Sequence, residues 1–471
     1  MSRALGYRWR YHTTSDTKKP MPTDAFRSLR TLWEDGFRFG VTKPGFRNLV
    51  VILSGWILTQ GPRAVTEALV VNDVSSRRHW EAFHRFFSRG AWSPDILGYN
   101  VFHRLERCFK HDVLRVVIDD TIAAKKGPHV FGIGSHLDPV RSTKFCRIFT
   151  FGHCWVVLAI VVRLPFSTRV WALPVLFRLY RNLKECEKKR HPYKKKTELA
   201  REMLSVLLGW TGERRVELAA DSAYCNDTVT RTLPAHVVLF GSMRPDAVLT
   251  EPPPPPSATS RKGGRPRKRG KLLRKPEKIA ADGRTAWRTT TATLYGRVTT
   301  VRYKTLVAQW YRATGTRLLR IVIVECTTGR LPARVFFSSD PSLEIATVLE
   351  TYAGRWGIEI FFRDAKQLLG FADSQARKPA AVLRVAPLVG LLYTVLVVWF
   401  AEGALRSPLA VLPVRPWYPH KRGFSFADIL RTARRALDGV DVLVPFNRFD
   451  NLQQPGRLSC EPVQRAQIQA A

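Results

Sequence analysis

Tyr352, Arg355, Glu359 and Lys366 stand in the run Tyr352-Ala-Gly-Arg355-Trp-Gly-Ile-Glu359-Ile-Phe-Phe-Arg-Asp-Ala-Lys366, at spacings of three, four and seven. With 3.6 residues to a turn, those spacings predict a helix carrying all four on one stripe. A carboxylate between an arginine and a lysine can hold a divalent cation while the two cations hold phosphate oxygens, which is equipment for phosphodiester chemistry. An arginine and a glutamate four apart also make an ordinary salt bridge on a solvated helix. Here Trp356, Ile358, Ile360, Phe361 and Phe362 leave little of the segment for open water, so the stripe is expected to line a cleft.

One carboxylate does not make a two-metal site, which needs acidic ligands from separate elements. Val113-Leu-Arg-Val-Val-Ile-Asp119-Asp120-Thr121 is a β-branched run ending in paired aspartates, and Arg215-Val-Glu-Leu-Ala-Ala-Asp221-Ser-Ala-Tyr224 is a second apolar run closing on an acid. Both predict buried strands with a carboxylate at the C-terminal end, the edge where ligands gather in sheets covered by helices. An aspartate after a strand also serves as a turn residue or helix N-cap. Taken jointly, Asp119, Asp221 and Glu359 give two strand-end aspartates and a helical glutamate.

These three segments, in this order, resemble the DDE transposases of bacterial insertion sequences, whose third carboxylate lies in a Tyr-x2-Arg-x3-Glu-x6-Lys signature. Tyr352, Arg355, Glu359 and Lys366 match that signature without a gap, and the resemblance spans residues 100 to 405. It implies an α/β fold with an RNase H-like catalytic core, and two Mg²⁺ ions, with Mn²⁺ as a substitute, held by Asp119, Asp221 and Glu359. Asp120 is the alternative to Asp119, because a run apolar on both faces does not fix the phase of its last residue. Phosphate contacts would come from Tyr352, Arg355 and Lys366. The activity implied is cleavage at the terminal inverted repeats of an element, then joining of the freed 3′-hydroxyls to target DNA by a homodimeric synaptic complex. An RNase H-like nuclease without strand transfer, or a catalytically silent DNA-binding descendant, are the alternatives.

Composition agrees with a DNA partner: 76 Lys and Arg against 38 Asp and Glu leave a formal charge of +38, which speaks of polyanions and not of fold. A chain of 471 residues, 45% hydrophobic, can build more than one buried core. The seven cysteines are scattered without a Cys-x2-Cys pair, arguing for reduced thiols and against a zinc ribbon. Residues 1 to 20 lack the apolar stretch of a secretory signal, so a cytoplasmic, nucleoid-associated location is expected. The apolar run Val385 to Ala401, with Pro387 and Gly390 inside it, is at the short limit for a membrane span and reads as a central helix buried against the sheet.

The elements that must position the acids follow from pattern. Residues 1–105 read as a helical DNA-binding domain, with Trp80, Phe83, Phe86 and Phe87 as core candidates and a helix-turn-helix-like pair within Ala64 to Arg89. Residues 106–250 and 342–404 form the two parts of the catalytic core, and 405–471 a C-terminal region containing a helix from Phe426 to Leu437. Between them, 251–282 read as a Pro-rich basic linker without a packed core, in which Arg265 and Arg267 resemble a minor-groove AT-hook. Residues 283–341 read as a β-rich insertion. The eight cations of Arg181 to Lys196 are read as phosphate contacts.

Overall fold

The β-branched runs found in the sequence become strands because their side chains suit a pleated, covered surface. They are β1 (Leu114–Ala124), β2 (Gly134–Leu137), β3 (Phe149–Arg163), β4 (Val170–Tyr180), β5 (Val216–Ala220), β6 (Val237–Met243), β7 (Arg288–Leu294), β8 (Arg297–Gln309), β9 (Leu318–Val324) and β10 (Arg334–Ser338). The computed structural model describes residues 24–127, 129–254, 267–325, 333–421 and 423–443. The strands form a single mixed sheet in the order β2-β3-β1-β5-β6-β10-β9-β8-β7, with β4 also beside β3. β1 runs antiparallel to β3 and parallel to β5, which is parallel to β6. An antiparallel start followed by parallel strands is consistent with the RNase H-like expectation.

The strands of residues 283–341 do not stand apart from this sheet. β10 pairs with β6 from Val335 opposite Met243 to Ser338 opposite Phe240, and β9, β8 and β7 follow outward. The pairing covers the backbone edge that β6 would otherwise present to solvent. The linker expectation also changes over its second half. Thr250 bridges Leu272, and Pro276 opens a short helix whose carbonyl ends at Ile279 and Ala280 accept from Lys304 Nζ at 3.0 and 3.1 Å.

The helices are α1 (Asp24–Phe37), α2 (Lys43–Leu58), α3 (Val65–Val70), α4 (Glu81–Ser88) and α5 (Pro94–Cys108) ahead of the sheet; α6 (Leu183–Lys188), α7 (Lys196–Thr211), α8 (Asp227–Thr230), α9 (Pro276–Ala280) and α10 (Tyr311–Thr314) between strands; and α11 (Ile345–Gly354), α12 (Trp356–Leu368), α13 (Pro379–Glu402) and α14 (Phe426–Leu437) after it. Residues 24–108 are mostly helical, but their buried side chains, Phe26, Trp33 and Trp56 among them, are continuous with those of the sheet and of α13. Phe83, Phe86 and Phe87 are buried as expected, whereas Trp80 is 55% exposed. Within the segment read as helix-turn-helix-like, α3 has six residues and tucks Ala68 against Gly55 of α2.

α13 is long and apolar enough to cross a bilayer, yet 89% of its most apolar window is buried inside the protein. Gly390 explains how it lies so close to the sheet: a Cβ there would fall 2.2 Å from the Phe177 ring of β4. Thr394 Oγ1 donates to the Pro174 carbonyl at 2.8 Å, so this buried hydroxyl is satisfied in the core.

Candidate active site

The parallel register of β1 and β5 sets the first half of the site. Ile118 lies opposite Ala220, so the next residues, Asp119 and Asp221, stand side by side on the same face. Asp221 directly follows β5 as expected, whereas Asp119 lies in mid-strand, because β1 pairs with β3 as far as Ala124. Asp221 then opens a tight turn through Ser222–Tyr224, its carbonyl accepting from Tyr224 N at 2.9 Å. The other half comes from α11 and α12, which meet at Arg355 with φ −54° and ψ −34°. The predicted single helix is therefore two helices in near-continuous backbone. Gly357 permits the close approach, since a Cβ there would sit 3.1 Å from the Ala172 nitrogen of β4.

The expected picture of a carboxylate between two cations is inverted, because here a guanidinium stands between carboxylates. Arg355 Nη1 donates to Asp119 Oδ2 at 2.7 Å and Nη2 donates to Glu359 Oε1 at 2.8 Å. Arg355 is 13% exposed, Asp119 18% and Glu359 33%, so the group lines a recess and not an open helix face. Burial alone would lower the guanidinium's pKa, but Asp119, Tyr352, Glu359 and Asp221 together raise it. All the acids predicted for the site thus act on one arginine. Burial pushes Asp119 up to about 7, against the opposing pull of Arg355 and of the Asp120 amide. Tyr352 donates to Ser242 Oγ at 3.1 Å and packs its ring against Phe336, and burial raises its pKa.

Asp120 points to the opposite face, as neighbours on a strand must. Its carboxylate accepts from Tyr224 Oη at 2.7 Å and Lys196 Nζ at 2.6 Å, with Cys154 Sγ at 3.4 Å. Sequence reading missed this tie between β1 and the turn carrying Asp221. The signal for it was present: of two adjacent aspartates on a strand only one can face a given site, and Tyr224 falls three residues after Asp221.

Lys366 is not part of the cluster around Arg355. It lies seven residues beyond Glu359, about 10 Å along the helix axis. Burial lowers its pKa, and the Asp138 carboxylate pulls the other way. The basic segment 181–196 is only partly directed at solvent: Lys196 turns inward to Asp120, Lys194 pairs with Glu202 at 2.5 Å and Lys189 with Glu185 at 3.5 Å. Arg267 is exposed, and Arg265 lies outside the described residues.

Among the described residues no group of three or more His, Cys, Asp and Glu side chains stands in a metal-holding arrangement, since Arg355 occupies the space between Asp119 and Glu359. The donors themselves are hard carboxylate oxygens, which suit Mg²⁺ or Mn²⁺. Three carboxylates stand against one guanidinium in this recess, so a divalent cation would balance its charge.

No curated protein matches the chain. A family model described as DDE superfamily endonuclease matches residues 39–305, more than half of the sequence, and includes β1 with Asp119 and the β5 end with Asp221. Glu359 lies beyond the matched span. With Asp119 and Asp221 side by side on adjacent strands of a large mixed sheet, the chain belongs to the DDE superfamily endonucleases, enzymes that act on DNA and generally use divalent metals.

Proposed function

We propose that this chain is a transposase: it binds the terminal inverted repeats of an insertion sequence, cuts at the element ends and joins the 3′-hydroxyls to target DNA. The observation that carries the reading is that Arg355, at the junction of α11 and α12 whose residues match the Tyr-Arg-Glu-Lys signature, binds Asp119 and Glu359, with Asp221 beside Asp119 on the neighbouring strand. Asp119, Asp221 and Glu359 would hold Mg²⁺, each giving carboxylate oxygens once Arg355 releases Asp119 and Glu359. When bound there, the ions supply Lewis-acid stabilisation of charge on the attacking and leaving oxygens.

Arg355 then has its fork free for a DNA phosphate, the bidentate partner that guanidinium geometry fits best. Its buried Nε has no acceptor among the described residues, which a phosphate oxygen would supply. Tyr352 holds α11 to β6 through Ser242 and so keeps Arg355 aimed at Asp119. Lys366 would contact a phosphate farther along the same strand. Two ends cut together imply two subunits in the active complex, working in the cytoplasm on nucleoid DNA.

The test is cleavage of labelled DNA carrying the flanking terminal repeats, with Mg²⁺ and with Glu359→Ala alongside. Cutting at the repeat boundary followed by joining, both lost in the variant while DNA binding persists, is the expected result. Equal cutting of unrelated DNA would replace the proposal with a general nuclease, and binding with no cleavage at all would leave a silent DNA-binding descendant.

A further inference from the structure

The hairpin formed by β2 and β3 carries an apolar patch that the site does not use. Leu137, Val140, Phe145, Phe149 and Phe151 are 46%, 92%, 99%, 59% and 49% exposed. Scattered exposed apolar residues are ordinary, but five within fifteen residues form a patch. Arg141, Lys144 and Arg147 are interleaved with it; all three are exposed, and none pairs with a carboxylate among the described residues.

The loop between the strands is built rather than slack. Asp138 Oδ1 accepts from the amides of Val140 and Arg141 at 3.1 and 3.2 Å, and Asp138 Oδ2 accepts from Thr150 Oγ1 at 2.9 Å. Thr143 Oγ1 accepts from Phe145 N and Cys146 N at 3.3 and 3.0 Å, and Ser142 Oγ accepts from Ile148 N at 2.9 Å. Side-chain caps of this kind fix the turn, so Phe145 is held outward by the loop's own hydrogen bonds.

Register relates the patch to the acids. Asp119 lies opposite Val157, and Leu137 opposite Phe149. Counting back by twos from Val157 along β3 gives Trp155, His153, Phe151 and Phe149, so the hairpin's apolar face and Asp119 share one face of the sheet. Eight residues separate Phe149 from Val157, roughly 26 Å at about 3.3 Å per residue. At about 3.4 Å per base pair that is about eight base pairs.

We propose that this hairpin is a second contact for duplex DNA, with Arg141, Lys144 and Arg147 on phosphates and Phe145 as an apolar wedge in the minor groove, at the hairpin end whose first strand residue, Phe149, stands about eight base pairs from the reacting phosphate. Unpaired cations around an apolar tip complement phosphates flanking a base step. The proposal rests on the DNA-acting reading of the site, but its test does not use cleavage.

Equilibrium binding of the full chain to a mixed-sequence duplex is measured over a series of salt concentrations. For the variant with Arg141→Ala, Lys144→Ala and Arg147→Ala, the slope of log K against log salt should shrink in magnitude by about 3, near 0.9 per phosphate contact. The charge-preserving variant Arg141→Lys with Arg147→Lys should keep the slope. Phe145→Ser should bind about tenfold more weakly with the slope unchanged. An unchanged slope in the triple alanine variant overturns the proposal. So does loss of binding to phosphatidylserine-containing vesicles in that variant while its DNA binding is intact, which would make the tip a membrane contact. If the slope shifts as expected but no form of the protein cuts DNA, the hairpin contact stands and the transposase reading falls.

Discussion

Asp119 is the residue where burial and chemistry meet. Its pKa, pushed up to about 7, lies above the usual carboxylate range, so it holds a proton in part near neutrality when no metal is bound. A cation needs the carboxylate, and metal affinity should therefore rise with pH by about tenfold per unit below 7 and level off above it. Titration of Mn²⁺ binding between acid and mildly alkaline pH checks this, and an affinity independent of pH would remove Asp119 from the ligand set. The stability sign runs the other way. A raised folded pKa contributes to folding below the unfolded value and is lost as pH rises through about 7, so added metal should raise Tm more at alkaline than at acid pH. Arg355→Ala should lower the metal-free Tm, because it leaves Asp119 without its counter-charge, and metal should restore part of that loss; a Tm insensitive to the change would contradict the pairing.

Elements hold these groups through ties that cross the sheet. Tyr224 anchors the turn after β5 to Asp120 on β1, and that anchor fixes how far Asp221 stands from Asp119. Tyr224→Phe should weaken Mn²⁺ binding and slow cleavage by about tenfold, at the low end of what loss of a supporting hydrogen bond costs a metal site, with DNA affinity unchanged. If DNA affinity falls in step with metal binding, the tie has a broader structural role. Farther off, α14 is capped by Asp428, whose side chain is fully buried among Arg415, Lys421 and Arg431. Burial would raise its pKa, but Lys421 and Ser425 overcome this and bring it down to about 2. Its contribution is present above the unfolded carboxylate pKa and lost as pH falls toward 2. Asp428→Asn should cost ~2 kcal/mol at neutral pH, and a denaturation midpoint that does not move would refute that.

The molecule as a whole is organised around α13. Its buried face touches β4, α1, α4, α5 and α14, so the helix resembling a membrane span is the post on which the sheet and the N-terminal helices meet. Leu392 is fully buried there, and Leu392→Ala should cost about 3 kcal/mol by the cavity it leaves. Chemical denaturation without detergent measures this, and a negligible change would mean that α13 does not carry the core. The chain's +38 charge makes a field for DNA, and salt should weaken binding steeply whatever the sequence of the duplex.

The sequence by itself determined the elements and the chemical types. β-branched runs ending in Asp119 and Asp221, the helical spacing of Arg355 and Glu359, and the apolar length of α13 are local properties, and local periodicity records them. What only the tertiary structure decided is which groups meet. That Asp119 faces Arg355 while Asp120 turns to Tyr224 and Lys196 depends on strand phase, which a run apolar on both faces leaves open. That Lys196 points inward, and that residues 283–341 extend the catalytic sheet instead of standing apart, depends on partners 76 and about 100 positions away in the chain. Pairings at such separations are set by the geometry of packing, and no spacing within a single segment encodes them.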